Sequence, residues 1–231
     1  IKAIRHTDIS INKIKSILTV LDKKPFFYEP TTAITDYIIF LLGVFFGLAT
    51  LAIQDSQFHQ LWGLAFYSIG IGGFLGGTSH GFGPKLKEVY RKILWRFTLV
   101  FIAVTGLLIT MSAALFFVTE KGENALYIIT GVLLLTYFQR IRKKDSFRSA
   151  VTFYMPLMGI SLVGFAMAFY FQNMTGALSI TVGLLVCVAG TVVQVMKISV
   201  HEKFNHNDLF HVIQMLGMFL MYRGGLEIHP F

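Results

Sequence analysis

Seven stretches of mainly apolar residues dominate this sequence and restrict the folds that it can adopt. They cover roughly residues 33–53, 60–80, 94–118, 125–139, 149–171, 175–197 and 208–223. A run of about 20 apolar residues is the length that an α-helix needs to cross the hydrocarbon core of a bilayer. With 55% hydrophobic residues, the chain is also more apolar than a soluble domain of this size. The sequence therefore predicts an all-α integral membrane protein, built as a bundle of seven transmembrane helices.

The positions of the basic residues predict the orientation of this bundle. The chain has 20 Lys and Arg residues. All of them except Lys121 and Arg223 lie in the N-terminal segment, or in or beside the connections that follow the second, fourth and sixth runs. Positively charged loops stay on the cytoplasmic side of a membrane. The N-terminus is therefore expected in the cytoplasm and the C-terminus outside. The net charge of +8 then serves topology and the binding of anionic lipid, and nucleic acid is not an expected partner.

The runs divide the chain into three parts. Residues 1–30 form a basic segment in which apolar residues such as Ile11 and Leu18 recur on one side. This pattern predicts either an amphipathic helix on the cytoplasmic surface or a disordered basic tail. Residues 31–225 form the seven-helix membrane domain, and residues 226–231 a short outer tail. We expect a bacterial inner (plasma) membrane protein whose partners are membrane lipids; a homo-oligomer or a larger membrane complex stays open.

The second run, which ends in GGFLGGTSHGFG, is rich in glycine. Gly72, Gly76 and His80 recur every four residues, with Gly73 and Gly77 beside them. On a helix this spacing gives a face with almost no side chains, which a neighbouring helix can approach closely. His80 ends that face on the predicted cytoplasmic side.

Polar side chains cluster where the seventh run begins, in HEKFNHNDLFHVIQ. Asn207, His211 and Gln214 follow the helical spacing i, i+4, i+7 and share a face, with His206 and Asp208 close to it. Each residue has a structural interpretation: an asparagine as helix cap, Asp208 as a favourable charge in the first turn, and His211 or Gln214 as interhelical hydrogen-bond partners. Polar groups at membrane depth are nevertheless expensive, so the cluster as a whole predicts a functional site.

The predicted topology places three more polar residues at the same membrane depth. Asp36 lies one turn into the first run, His80 ends the second, and Arg96 lies about one turn into the third. Asp36 either stabilises a helix N-terminus or faces the bundle. Arg96 either reaches lipid phosphate, which we favour, or pairs with an internal acid. Phe101, farther along the third run, is expected to face lipid.

These features resemble the superfamily that joins adiponectin/progestin-type receptors, alkaline ceramidases and related seven-span membrane hydrolases. The resemblance rests on seven spans with the N-in polarity of the receptor branch, on His80 in GGTSHGF, and on NDLFHVIQMLGMFLMYRGG opening the seventh span. In that superfamily a span-two His and two span-seven His residues four apart bind zinc, assisted by a Ser four residues before the first His and by a span-three Asp. The activated water hydrolyses an amide of a lipid such as ceramide.

The resemblance implies zinc as cofactor, with His80 and His211 as ligands at the matching positions. The chain departs from the family pattern at three points. Asn207 stands four residues before His211, Gly76 stands where the Ser is expected, and no Asp occurs between His80 and Asp145.

Other residues are predicted to supply the missing parts of a zinc site. We expect His206 as the third ligand and carboxylates from Asp36 and Asp208 in catalysis. Second-shell or substrate-binding contacts are expected from the remaining polar residues, Arg96, Asn207 and Gln214.

Three functions are consistent with this pattern. The first is a zinc-dependent hydrolase of a lipid amide, with the water activated at the cytoplasmic side. The second is a non-catalytic seven-span protein whose polar cluster binds a lipid headgroup or locks helices together. The third is a subunit of a membrane complex in which His80 or His211 ligates a haem or a pigment.

Overall fold

The computed structural model describes residues 25–53, 56–202 and 204–229. Within these ranges the chain forms seven α-helices, a single 3₁₀ turn at Gly83–Lys85 and no β-strand. The helices are α1 (Pro30–Leu51), α2 (Gln57–Phe82), α3 (Glu88–Ala114), α4 (Glu120–Lys143), α5 (Phe147–Gln172), α6 (Thr175–Met196) and α7 (His206–Leu226). Each predicted run corresponds to one helix, so the all-α prediction is confirmed. Most of the predicted amphipathic or disordered segment lies outside the described residues.

Six of these helices, α1 to α6, are long and apolar enough to cross a membrane. α7, with 21 residues, is not among them, because polar side chains occupy its first turns and Arg223 its last. Large apolar side chains face outwards, as on Leu41, Ile128 and Phe171, which are each more than three-fifths exposed. Such surfaces suit helices that are surrounded by lipid rather than water.

Side-chain caps and proline define several helix starts. Ser56 accepts a hydrogen bond from the backbone N–H of His59, and Ser146 one from that of Ser149, as helix N-caps do. Pro30 occupies the first position of α1, where its missing N–H costs nothing.

Two helix pairs, α1 with α2 and α6 with α7, pack backbone against backbone. A Cβ added to Gly43 on α1 would lie 2.7 Å from the Cα of Gly70 on α2. A Cβ added to Gly183 on α6 would lie 2.7 Å from the carbonyl oxygen of Gly217 on α7. Neither position admits a side chain, so glycine is what permits these two approaches.

An aromatic cluster fills the end of the bundle at which α2 begins, which we call the His59 end. Trp62 stacks on Phe58 and packs edge-on against Phe66 and Phe165. Trp62 is fully buried, and its indole N–H donates to the Met221 carbonyl. The opposite end, at which α2 finishes, is called the His80 end. Aromatic rings thus pack the His59 end densely, and a central cavity lies towards the His80 end.

Candidate functional site

A cavity of about 110 Å³ lies inside the bundle, towards the His80 end. Every described helix except α4 contributes to its lining. A cavity of about 10–15 Å³ is enough for one water molecule, so this one has room for several. Of the predicted site residues, four line it: Asp36, His80, His211 and Gln214.

Asp36 and His211 lie next to each other in the lining of this cavity. Asp36 Oδ1 lies 3.4 Å from His211 Nε2, and the two residues are only 5% and 7% exposed. Asp36 Oδ2 is buried and has no hydrogen-bond partner within the described ranges. An unpartnered carboxylate oxygen in such surroundings is costly, which points to a ligand or a proton as its natural partner.

The hydroxyl of Thr35 fixes the other nitrogen of His211. Thr35 Oγ1 lies 2.8 Å from His211 Nδ1, and it also lies 2.9 Å and 3.1 Å from the carbonyl oxygens of Thr32 and Thr31. A hydroxyl has one hydrogen to donate. Thr35 Oγ1 can donate it to one of these carbonyls or to Nδ1, according to the tautomer of His211. His211 therefore presents Nε2 to Asp36.

His80 makes a similar contact at the mouth of the cavity. Its Nδ1 lies 2.7 Å from Oε2 of Glu29, the residue that precedes α1. The hydrogen bond with His80 lowers the pKa of the Glu29 carboxyl below its ordinary value, because it stabilises the charged form. The ring of Trp95 meets that of His80 edge-on, with centroids 6.4 Å apart. His80 thus binds Glu29 through Nδ1 and also lines the cavity.

Gly76 borders the Asp36 carboxylate. A Cβ at this position would lie 3.1 Å from Asp36 Oδ2 and 3.2 Å from Oδ1. A side chain at this position would compete with the Asp36 carboxylate for the same space. The absence of a side chain on Gly76 therefore makes room for the carboxylate from α1.

The polar residues in the first turn of α7 form hydrogen bonds with other residues of the chain. Thr32 donates to Asp208 Oδ1 at 2.7 Å, and the backbone N–H of Asn205 donates to Oδ2 at 2.7 Å. Asp208 and Asn205 together form a capping box at the start of α7. Asn207 accepts a hydrogen bond from Gln194 of α6 at 2.5 Å rather than facing the cavity with His211.

His206 and Arg96 also lie away from the cavity lining. His206 is the first residue of α7, and its charge lies close enough to Glu29 to favour the ionised carboxylate. Arg96 Nε donates to Asp145 Oδ2 at 2.8 Å. Arg96 therefore has an acidic partner, Asp145 in the α4–α5 connection, and both side chains are about one-third exposed; a contact of Arg96 with lipid phosphate stays a prediction.

The donor types at the cavity are ones that zinc accepts, but their arrangement does not form a ligand set. Imidazole nitrogen and carboxylate oxygen are normal zinc ligands, and catalytic sites use three of them with an open position. Asp36, His80 and His211 all line the cavity, and Asp36 Oδ2 has no hydrogen-bond partner within the described ranges. Across the described part of the chain, however, no three His, Cys, Asp or Glu side chains are gathered tightly enough to hold a metal ion.

Sequence reasoning missed Glu29, Thr32 and Thr35 as members of this cluster. Thr32, Thr35 and Asp36 follow the spacing i, i+3, i+4 and so share one face of α1, a signal that was available in TTAITD. Glu29 carried no such signal, because its contact with His80 depends on how the chain enters α1.

The comparisons with known proteins give one match. Residues 31–230 match the family described as "Family of unknown function (DUF6962)". No curated protein matches the chain significantly, and no solved structure does. Because the family match runs from the start of α1 past the end of α7, the chain belongs to this family of unknown function, DUF6962.

Proposed function

We propose that this protein is a zinc-dependent membrane hydrolase that cleaves a lipid amide, as the resemblance to ceramidase-like hydrolases implies. The observation that supports this most directly is the buried Asp36 carboxylate. One of its oxygens faces His211 Nε2 and the other has no partner within the described ranges. Proteins rarely bury such a group without a use for it.

His80 and His211 are the side chains that would bind the metal, and Asp36 beside His211 would handle the proton. When bound, zinc acts as a Lewis acid that activates water for attack on an amide carbonyl. Asp36 Oδ2 is the group placed to take a proton from that water and return it to the nitrogen of the leaving amine. The C–N bond then breaks, and a carboxylic acid and an amine are released without any redox partner. Gln214, also at the cavity, offers an amide for orienting the substrate.

The proposal includes a seven-span topology with a cytoplasmic N-terminus, in a bacterial inner membrane. The uneven distribution of Lys and Arg supports this orientation. α7 is included as a span because it packs along α6 at Gly183 and Gly217 and joins α2 at the His59 end. There His59 Nε2 lies 3.2 Å from the Gly225 carbonyl oxygen. The cavity would then open towards the cytoplasm, where the headgroup of a membrane lipid is accessible.

The test is zinc content and amidase activity of the full chain purified in detergent. We expect about one zinc per chain without supplementation and release of fatty acid from an N-acyl lipid such as ceramide. The His211→Ala variant should lose both. His59→Ala is the matched control, because His59 is an equally buried histidine at the other end of the bundle. Folded wild-type protein that binds no zinc and releases no fatty acid from a panel of N-acyl lipids would overturn the proposal.

A further inference from the structure

The Asp36 carboxylate brings a negative charge into the cavity without a Lys or Arg to balance it. Among the described residues that line the cavity, Asp36 is the only acid, and none is a Lys or an Arg. Asp36 is 5% exposed, and its Oδ2 has no hydrogen-bond partner within the described ranges. A carboxylate buried in this way is costly unless a positive charge or a proton accompanies it. The cavity therefore has a place for a cationic group beside Asp36.

Four hydroxyl groups in the cavity lining offer lone pairs rather than hydrogens. They belong to Ser68, Thr98, Thr105 and Thr191. Each hydroxyl donates to a backbone carbonyl oxygen, at 2.9 to 3.1 Å. Because a hydroxyl has only one hydrogen, these oxygens can only accept a further hydrogen bond. The hydroxyls thus suit a ligand that donates hydrogen bonds.

Four aromatic rings belong to the same lining. They are those of Trp95, Phe147, Tyr154 and Phe210, and the rings of Phe147 and Phe210 meet edge-on with centroids 6.5 Å apart. Aromatic faces attract a nearby cation, and the attraction grows when the cation has lost its water. The aliphatic side chains of Ile39 and Ile102 also line the cavity and suit methylene groups. These apolar neighbours favour an organic cation.

We propose that the cavity is a binding site for a protonated primary amine, with Asp36 as its counter-ion. An ammonium group carries one positive charge and three N–H donors, which match the carboxylate and the accepting hydroxyls. The cavity has room for several water molecules, so it can hold the ammonium group and the start of an attached chain.

This binding site needs no metal and does not depend on the proposed reaction. It extends that reaction, because an amine is one of the two products when an amide is hydrolysed. The carboxylate that returns a proton to the leaving nitrogen would then hold the released ammonium group in the cavity.

The experiment is calorimetric titration of the full chain, freed of zinc, in nanodiscs of phosphatidylcholine at neutral pH. The probe is n-hexylamine, and empty nanodiscs correct for its partition into lipid. n-Hexanol has the same chain without a charge, and hexyltrimethylammonium has the charge without N–H donors. We expect saturable binding of about one hexylamine per chain, and at least tenfold weaker binding of both control compounds.

The source of the amine follows from its chain length. n-Propylamine is titrated in the same way as n-hexylamine. Affinity that rises with chain length indicates an amphiphilic amine from the bilayer, whereas equal affinity indicates a small soluble amine.

Two variants test the groups that would hold the ammonium. Asp36→Asn keeps the shape of the side chain and removes its charge, so hexylamine affinity should fall at least tenfold. The double variant Thr105→Val, Thr191→Val removes two accepting oxygens, so affinity should fall about two- to tenfold. Asp208→Asn is the matched control, because Asp208 is equally buried but does not line the cavity; it should bind hexylamine as the wild type does. Thermal unfolding establishes that each variant is folded.

The outcomes separate this inference from the proposed function. Equal affinity for hexylamine and hexanol, or wild-type affinity in folded Asp36→Asn, would overturn the amine site. Equal affinity for hexylamine and hexyltrimethylammonium would contradict the role of the hydroxyl groups. Amine binding by a chain that binds no zinc would leave the inference intact and the proposed function wrong. A zinc-dependent amidase that binds no amine would refute the inference alone.

Discussion

Asp36 Oδ1 and His211 Nε2 lie 3.4 Å apart in the interior of the bundle, although the two residues come from the first and the last helix of the chain. Neither residue is more than 7% exposed, so water does not screen their interaction effectively. A proton bound to either of these two atoms lies within reach of the other. A pair of this kind can exchange a proton with a bound molecule without any large movement.

The two buried aspartates are expected to respond oppositely to the same substitution. Asp36→Asn removes a carboxylate with an unpartnered oxygen, so the thermal stability should stay unchanged or rise, while zinc affinity and amidase activity fall at least tenfold. Asp208→Asn disturbs the capping box and the hydrogen bond from Thr32, so it should lower the free energy of unfolding by about 1–2 kcal/mol and leave zinc affinity unchanged.

Thermal unfolding and zinc titration of both variants in detergent check this contrast. Loss of stability without loss of metal in Asp36→Asn would show that Asp36 is a structural residue. Loss of metal in Asp208→Asn alone would instead move the site to the start of α7.

The fold was predictable because membrane-spanning helices require long apolar runs, and each run became a helix. The glycine face of α2 was predicted in part. Gly73 packs directly on α1, where an added Cβ would lie 2.7 Å from the Asp36 carbonyl oxygen, whereas Gly72 borders the cavity. Phe101 was expected to face lipid, but it is half-buried, and its Cβ lies 3.6 Å from the position of a Cβ on Gly72. Helical spacing identifies such faces, but it does not say which neighbour each face meets.

The membrane depth of the candidate site residues was predictable from the sequence, but their hydrogen-bond partners were not. Asp36, His80 and His211 were expected at one end of the bundle, and all three line the cavity. The turn of the chain at the α7 cap directs Asn207 towards Gln194, which spacing alone could not reveal. The acceptors on the histidines, Glu29 and Thr35, depend on tertiary contacts across the bundle.

The two adjacent glycines of α2 give a stability test of the packing. Gly73→Ala places a methyl group against the backbone of α1 and should cost about 1–3 kcal/mol, as overpacking does. Gly72→Ala should be tolerated, because its Cβ meets only Phe101 at an ordinary contact distance. Unfolding of both variants in the same detergent provides the measurement, and equal stability would contradict the close approach of α1 to α2.

Larger residues at Gly72 should affect the cavity rather than the fold. Gly72→Leu adds three carbons beyond the methyl group of alanine and should fill space next to Gly76 and Asp36. We expect amidase activity to fall at least tenfold while thermal stability stays close to that of Gly72→Ala. Retention of full activity would show that substrate does not enter this cavity.

The ion pair of Glu29 and His80 should make the free energy of unfolding depend on pH. Because the folded-state pKa of Glu29 lies below its ordinary value of 4.5, the pair stabilises the folded state fully above that value. The contribution is lost as the pH falls through the lowered pKa. His206 also favours the ionised Glu29 carboxylate, and burial opposes it. Glu29 is half exposed, so the effect is modest.

Thermal unfolding of the wild type and Glu29→Gln from pH 3 to pH 7 checks this dependence. The wild type should be more stable near neutral pH, and the two melting temperatures should converge as the pH falls through the lowered pKa of the Glu29 carboxyl. A constant difference across the whole range would mean that the charge of Glu29 contributes nothing.

The orientation of the bundle is tested by reporters at the two ends of α7. With seven crossings and a cytoplasmic N-terminus, an alkaline phosphatase fused after Phe231 should be active in a bacterial host, since this enzyme folds only outside the cytoplasm. The same enzyme fused after Lys197, in the connection from α6 to α7, should be inactive. Green fluorescent protein at the two positions should give the opposite pattern and serves as the control for expression. If both fusions report the cytoplasm, α7 does not cross the membrane. In that case the polar start of α7 is a surface feature, and the cavity at Asp36 and His211 opens beside a helix that lies at the membrane boundary.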